Sequence, residues 1–206
     1  MSTDYKRHAE LIDTEKTKEL LSHLPQFCKE YYKGRKLKLT AKTQYNYAFK
    51  MSVFLRYLHD SNSYFGKKEI KDITLEDLDK LNRDDIEDFI EWLSEQKTGR
   101  TRGDTATNSS STVDNYLSCL STYWNYFVSK EKLTKNPFIG IDRNKSRKKN
   151  IIFLEADERE EMLDTAWDGT NLTERQQKFR DKSNSAIRDA TILMVLFDTG
   201  IRVSEL

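Results

Sequence analysis

Proline occurs twice in 206 residues and glycine seven times, so little in the chain interrupts a helix. Cysteine is almost as scarce. Cys28 and Cys119 are too few for a disulfide scaffold or for a zinc site built from cysteine alone. No apolar run approaches the roughly 18 residues that a membrane-crossing helix needs. The opening Met1-Ser2-Thr3-Asp4-Tyr5-Lys6-Arg7 leads into no apolar core of a secretory signal, so the expected compartment is cytoplasmic and no membrane partner is expected. An excess of one charge is also missing: 35 basic residues against 34 acidic ones leave a net +1. What is present is a polar, aromatic-rich composition, with 11% aromatics and a mean hydropathy of −0.81. The aromatics are too many for a disordered chain. A soluble, mainly α protein of one or two domains is the reading.

The small net charge conceals strong segregation. Residues 1–24 carry four bases and five acids, net −1, whereas 25–60 carry eight bases and two acids, net +6. Lys67 and Lys68 add +2 within 61–68, and residues 69–95 hold three bases and eleven acids, net −8. Residues 96–150 return to eleven bases and four acids, net +7, and 151–206 close with seven bases and twelve acids, net −5. A fold that brings the two basic stretches together makes a cationic face suited to a polyanion. The plainer alternative is a set of solvated helix faces, and charge alone does not choose between them.

Apolar spacing then marks helices. The first dozen residues read as loosely ordered, with a short helix after Thr14 carrying Leu20, Leu21 and Leu24. Pro25 suits the first position of the next helix, which carries Phe27, Cys28 and Tyr31 and stops near Gly34. Cys28 on that stripe reads as core filling. Thr40 is placed to cap a long helix whose single face holds Tyr47, Met51, Phe54, Leu55 and Leu58. Thr74 with Asp77 resembles a capping box, and Asp84 is positioned to cap a helix bearing Ile86, Phe89, Ile90 and Leu93. After a polar loop, a strong helix runs from Thr112 through Val113, Tyr116, Leu117, Leu120, Trp124 and Phe127, and Asn136-Pro137 marks the exit turn. Together these faces make a helical bundle of about 100 residues.

The next segment, Arg143-Asn144-Lys145-Ser146-Arg147-Lys148-Lys149-Asn150, has five bases and no apolar residue and reads as an inter-domain linker. The expected organisation is a tail over 1–24, a helical domain over 25–138, a basic linker over 139–150 and a second domain from 151. In that second region a helix should carry Met162, Leu163 and Ala166, and another is expected near 172–182. The run from Ile192 to Phe197 is apolar on every side and ends at Thr199-Gly200. Such a helix needs protein all round it. Six residues after Gly200 cannot supply that, so the sequence is expected to be cut short inside this domain.

At Thr199-Gly200-Ile201-Arg202-Val203-Ser204-Glu205-Leu206 the chain resembles the tyrosine recombinases, the phage integrase family. The resemblance runs upstream in the same order. Thr43, Tyr47, Phe54 and Leu55 are similar to the pattern of that family's core-binding domain, residues 112–127 with Asn136-Pro137 to its last helix and exit, and residues 154–163 to its first catalytic-domain helix, though Glu155 and Asp157 stand where a Ser or Thr cap is usual. The implied fold is a helical, SAM-like core-binding bundle followed by the start of an α+β catalytic domain. The implied activity is site-specific DNA recombination, by attack of a tyrosine on a backbone phosphate and religation through a phosphotyrosine link. That chemistry needs no cofactor and no metal. Arg202 matches the family's first catalytic arginine and Glu205 its supporting acid. None of the ten tyrosines lies in the nucleophile's region, so these residues are expected to bind DNA without cutting it.

The implied partners are double-stranded DNA at attachment sites and, for a full-length protein, other protomers in a DNA-bound tetramer. Lys36, Lys38, Thr40, Lys42 and Thr43 sit at a helix N-terminus, where backbone N–H groups also favour a phosphate. Arg143, Lys145, Arg147, Lys148 and Lys149 would follow the backbone along the linker. Asn115, with Tyr116 beside it, is expected to approach a groove. Two other classes remain open on the residues alone: a non-catalytic DNA-binding accessory protein, and a helical protein-interaction domain.

Overall fold

Six helices and two short turns build the first of two units, Met1–Arg147, and three helices build the second, Lys148–Leu206, among the described residues, which are 2–97, 106–142 and 153–203 of a computed structural model. In the first unit the order is α1 (Ser2–His23), α2 (Gln26–Arg35), α3 (Ala41–Ser61), 3₁₀ turns at Phe65–Lys67 and Ile70–Asp72, α4 (Leu75–Leu78), α5 (Arg83–Glu95) and α6 (Ser110–Val128). The fold is mainly α. An isolated antiparallel bridge joins Lys97 to Thr107, and no strand occurs among the described residues.

The helix starts follow from side chains that satisfy the orphan N–H groups of each first turn. Thr40 Oγ1 accepts from the Thr43 N–H at 3.3 Å, as its position suggests. Thr74 and Asp77 form the expected reciprocal box. Asp84 does not cap α5. Asn82 does, accepting from the Asp85 N–H at 3.1 Å while Asp85 accepts from the Asn82 N–H at 2.9 Å. The last helix begins earlier than Thr112, because Ser109 accepts from the Thr112 N–H at 3.3 Å. Pro25 is the residue before α2 and not its first residue; its carbonyl accepts from the Cys28 N–H at 3.0 Å.

Two further expectations fail for physical reasons. The first dozen residues are not irregular: α1 runs unbroken from Ser2 because residues 1–24 contain no Gly or Pro and are dense in Glu, Lys and Leu. Its first half carries exposed Tyr5 and Leu11, so an apolar period could not reveal it. Gly34 does not stop α2, which continues to Arg35. Its role is steric, since a Cβ there would collide with the Tyr126 hydroxyl.

The core sits between α2, α3, α5 and α6. Phe54 of α3 packs edge-on against Phe89 of α5 at 4.9 Å and against Trp124 of α6 at 5.8 Å between ring centroids. Trp124 in turn meets Phe138 at 4.9 Å. Tyr31 of α2 stacks on Tyr123 of α6 at 3.9 Å, and Tyr32 shares a hydrogen bond with the Tyr123 hydroxyl. Each such ring pair contributes about 0.5–1.5 kcal/mol beyond its buried area. Cys28 is fully buried among them as core filling, and burial pushes its thiol well above the ordinary range. Burial likewise takes Cys119 to about 12. Asn136 fastens the exit turn onto α6, donating to Ser121 Oγ at 3.1 Å and to Asn125 Oδ1 at 2.8 Å. Its own Oδ1 accepts from the Phe138 N–H at 3.0 Å, which sets the turn into Pro137.

The second unit holds α7 (Ala156–Asp168), α8 (Glu174–Ser183) and α9 (Ala186–Thr199). In place of a Ser or Thr cap on α7, Glu158 accepts from the Glu155 N–H at 2.9 Å. Gly200 closes α9 in the left-handed conformation at φ 63°, which a Cβ would oppose. In α9 only Ala190 is buried, while Ile187 and Met194 are exposed. The apolar helix therefore lacks enclosing protein among the described residues.

Candidate nucleic-acid interface

The connection from α2 into α3 concentrates cations. Lys33, Lys36, Lys38 and Lys42 are all exposed along it, and Lys36 is the residue that ends α2. The Lys38 N–H donates to the Arg35 carbonyl at 2.8 Å, folding this short link into a turn. Thr40 and Thr43 are committed locally. Their hydroxyls lie 2.9 Å apart, and Thr40 also caps the helix. Both hydroxyls are thereby held at the first turn of α3. The first-turn N–H groups of α3 without an intrahelical acceptor, with the positive end of the helix dipole, provide the anion-attracting elements.

Helix α1 adds residues that no pattern in the sequence assigned to this place. It packs along α3, so Asp13 stands 3.6 Å from Lys42. Lys16 and Lys42 both lie against the ring of Tyr45, at 5.9 and 5.5 Å from its centroid. Lys42 remains two-thirds exposed despite its ion pair, so Asp13 restrains it without removing it from solvent. A 3.6 Å pair with one partner this exposed contributes about 1 kcal/mol or less.

A second contact joins α3 to α6. The Lys50 ammonium donates to the side-chain oxygen of Asn115 and, at 3.4 Å, to its backbone carbonyl. It also lies 5.6 Å from the centroid of Tyr116. Burial lowers the pKa of Lys50 and raises that of Tyr116. Asn115 is exposed and held by this contact, while the Tyr116 ring is partly buried against the core. Lys50 escaped the sequence reading because a single lysine on an amphipathic helix carries no signal until its neighbour across the bundle is known.

Arg202 belongs to the other unit. It is exposed, two residues beyond the Gly200 cap, where the Ile201 N–H donates to Thr199 Oγ1 at 3.4 Å. Arg143, Lys145, Arg147, Lys148, Lys149 and Glu205 lie outside the described residues. Among the described residues no cluster of three His, Cys, Asp or Glu side chains could hold a metal, and no helix is long and apolar enough to cross a membrane.

The profile of the phage integrase SAM-like domain matches residues 23–147, which takes in α2 to α6 and the exit turn. The chain belongs to this family. Its relatives carry the name the sequence resemblance suggested. A tyrosine recombinase XerS of Streptococcus mutans is 27% identical over 210 residues, covering 93% of this chain and 58% of that protein. XerS of Lactococcus lactis subsp. lactis is 27% identical over 221 residues, covering 97% and 60%. A tyrosine recombinase XerC of Listeria innocua is 26% identical over 165 residues, covering 74% and 48%. The chain therefore spans less than two thirds of the length of these integrase-family relatives. No solved structure matches it.

Proposed function

We propose that this chain is the DNA-holding part of a site-specific tyrosine recombinase acting in the bacterial cytoplasm. The observation that carries the reading is the exposed cationic turn from Lys36 to Lys42 at the start of α3, within the matched SAM-like domain. Lysines there neutralise phosphates, and the helix N-terminus adds oriented N–H groups. Such contacts fix register and affinity and carry little sequence information. Residues 25–138 form the core-binding domain in this reading, and 139–150 form a basic linker whose Arg143, Lys145, Arg147, Lys148 and Lys149 lie along the backbone of the duplex. The segment from 151 opens the catalytic domain.

In that domain Arg202 is the group that touches the scissile phosphate. A planar guanidinium offers paired N–H donors to two non-bridging oxygens as negative charge grows on them during attack. A preorganised donor of this kind lowers the barrier by about 3 kcal/mol. Glu205 supports it. Strand cleavage conserves the phosphodiester energy in a phosphotyrosine link, and a neighbouring strand's 5′-hydroxyl then displaces the tyrosine. Partner protomers supply the other active sites of a tetramer. The 206 residues bind duplex DNA without cleaving it.

The test is the anisotropy of a labelled duplex titrated with the wild-type chain and with a Lys36→Ala, Lys38→Ala, Lys42→Ala triple variant. The triple variant should bind every duplex more weakly by a similar factor and show a shallower dependence on salt. Equal affinity and equal salt dependence would remove this turn from the interface.

A further inference from the structure

The Lys50–Asn115 contact has a chemistry that the backbone-holding role leaves unexplained. Lys50 is half-buried under α6, and its ammonium is spent on one residue's two oxygens and on the Tyr116 ring. A carboxylate at position 115 would satisfy that charge better than a neutral amide does. An amide differs from a carboxylate in one respect: its other half is an NH2 group with two donors. The ammonium also fixes which way the amide faces, because turning it over would set N–H donors against N–H donors. Asn115 is itself exposed, which leaves its NH2 donors within reach of a ligand in solvent.

We infer that Lys50 is a positioning residue that holds the Asn115 carboxamide in one orientation, so that Asn115 meets DNA as a donor and selects an acceptor-rich base edge, guanine's, over adenine's. This rests on the DNA-binding reading above and adds to it a source of sequence choice. Guanine shows N7 and O6 acceptors in the major groove, whereas adenine pairs its N7 acceptor with an N6 amino donor. Reading adenine with an asparagine requires the amide oxygen to accept from that amino group. Here the oxygen already accepts from an ammonium, whose positive charge and N–H groups oppose a second donor. The same charge favours the two acceptors of guanine. The partly buried Tyr116 ring, 5.6 Å from the Lys50 ammonium, gives it a second attraction on the α6 side.

The experiment is selection from a randomised duplex pool by the intact chain, with Lys50→Met, Asn115→Ala and the double variant in parallel, and the salt dependence of each. Lys50→Met keeps the stem and removes the ammonium. The wild type should enrich guanine at one position. Each single variant should relax that preference about tenfold, and the double variant no further, because both changes remove one unit. The salt slope of Lys50→Met should equal that of the wild type. Asn115→Asp guards against loss of folding: it strengthens the pair with Lys50, so it should match or exceed wild-type stability while losing the guanine preference. A Lys50→Met slope smaller by about 0.9 with base preference unchanged would make Lys50 a phosphate contact and overturn the inference. Enrichment of adenine at the Asn115-dependent position, or no position depending on Asn115, would overturn it too. A wild-type chain that binds no duplex overturns the reading beneath; one that binds while these variants keep its preference overturns this inference alone.

Discussion

The Lys68 ammonium reaches both oxygens of Asp77, at 2.7 and 2.8 Å, from nine residues upstream. Tyr64 donates to the same carboxylate at 2.5 Å, and Lys80 donates to the Tyr64 hydroxyl at 2.6 Å while lying over its ring. Asp77 also closes the capping box of α4, so one buried carboxylate ties the 3₁₀ turns to the helix that follows. Burial on its own would raise the Asp77 carboxyl; hydrogen bonds from Lys68, Tyr64 and Thr74 outweigh it and hold the group well below the usual carboxylate range.

A depressed folded pKa stabilises the protein at every pH above the unfolded value, about 4, and that contribution disappears as pH falls toward the folded value. Urea melts should therefore show stability declining from about pH 5 downward. Asp77→Asn should cost about 2 kcal/mol at pH 7 and flatten that decline. Parallel pH profiles for the two proteins would show that Asp77 does not govern the acid limb.

Asn136 is a second node. It is buried and its amide serves α6 and the exit turn together. Asn136→Ala should lose about 2–3 kcal/mol, since it strands the Phe138 N–H and the acceptors on Ser121 and Asn125. The midpoint of a urea melt measures this. A loss below about 0.5 kcal/mol, the size of an ordinary surface change, would contradict the role given to it.

The two units should differ in stability. In α6 the side chains of Leu120, Tyr123, Trp124 and Phe127 are nearly inaccessible, whereas α9 buries only Ala190. Amides from Ile192 to Phe197 should exchange with solvent much faster than those from Leu120 to Phe127 under native conditions. Equal protection in both helices would mean that α9 is as well supported as the bundle.

Most of the bundle was legible because its helices obey one rule: Met51, Phe54, Leu55 and Leu58 recur on one face, and so do Leu117, Leu120, Trp124 and Phe127. The caps at Thr40 and Thr74 were legible for the same reason, being local. What the sequence concealed depends on neighbours distant in the chain. Gly34 looks like a helix stop until Tyr126 is placed above it. From Tyr5 to Ile12 no side chain of α1 is fully buried, so its first half leaves no periodic trace. At the candidate interface the lysines of the α2–α3 turn could be read from composition. Lys50, Asp13 and Lys16 acquire meaning only from α6 and from the packing of α1 on α3.

The linker makes a separate prediction. Replacing Arg143, Lys145, Arg147, Lys148 and Lys149 together with alanine should weaken binding to all duplexes. It should also flatten the plot of log K against log salt by as much as about 4.5. A five-alanine variant with the wild-type slope would take the linker out of contact with DNA.

In the proposed function the exposed lysines between α2 and α3 hold duplex DNA. The most direct test of this is the affinity of the intact chain for two unrelated duplexes, measured from about 50 to 200 mM salt. Both duplexes should bind at the lowest salt, with log K falling linearly and steeply as log salt rises. No binding to either duplex at the lowest salt would contradict that function.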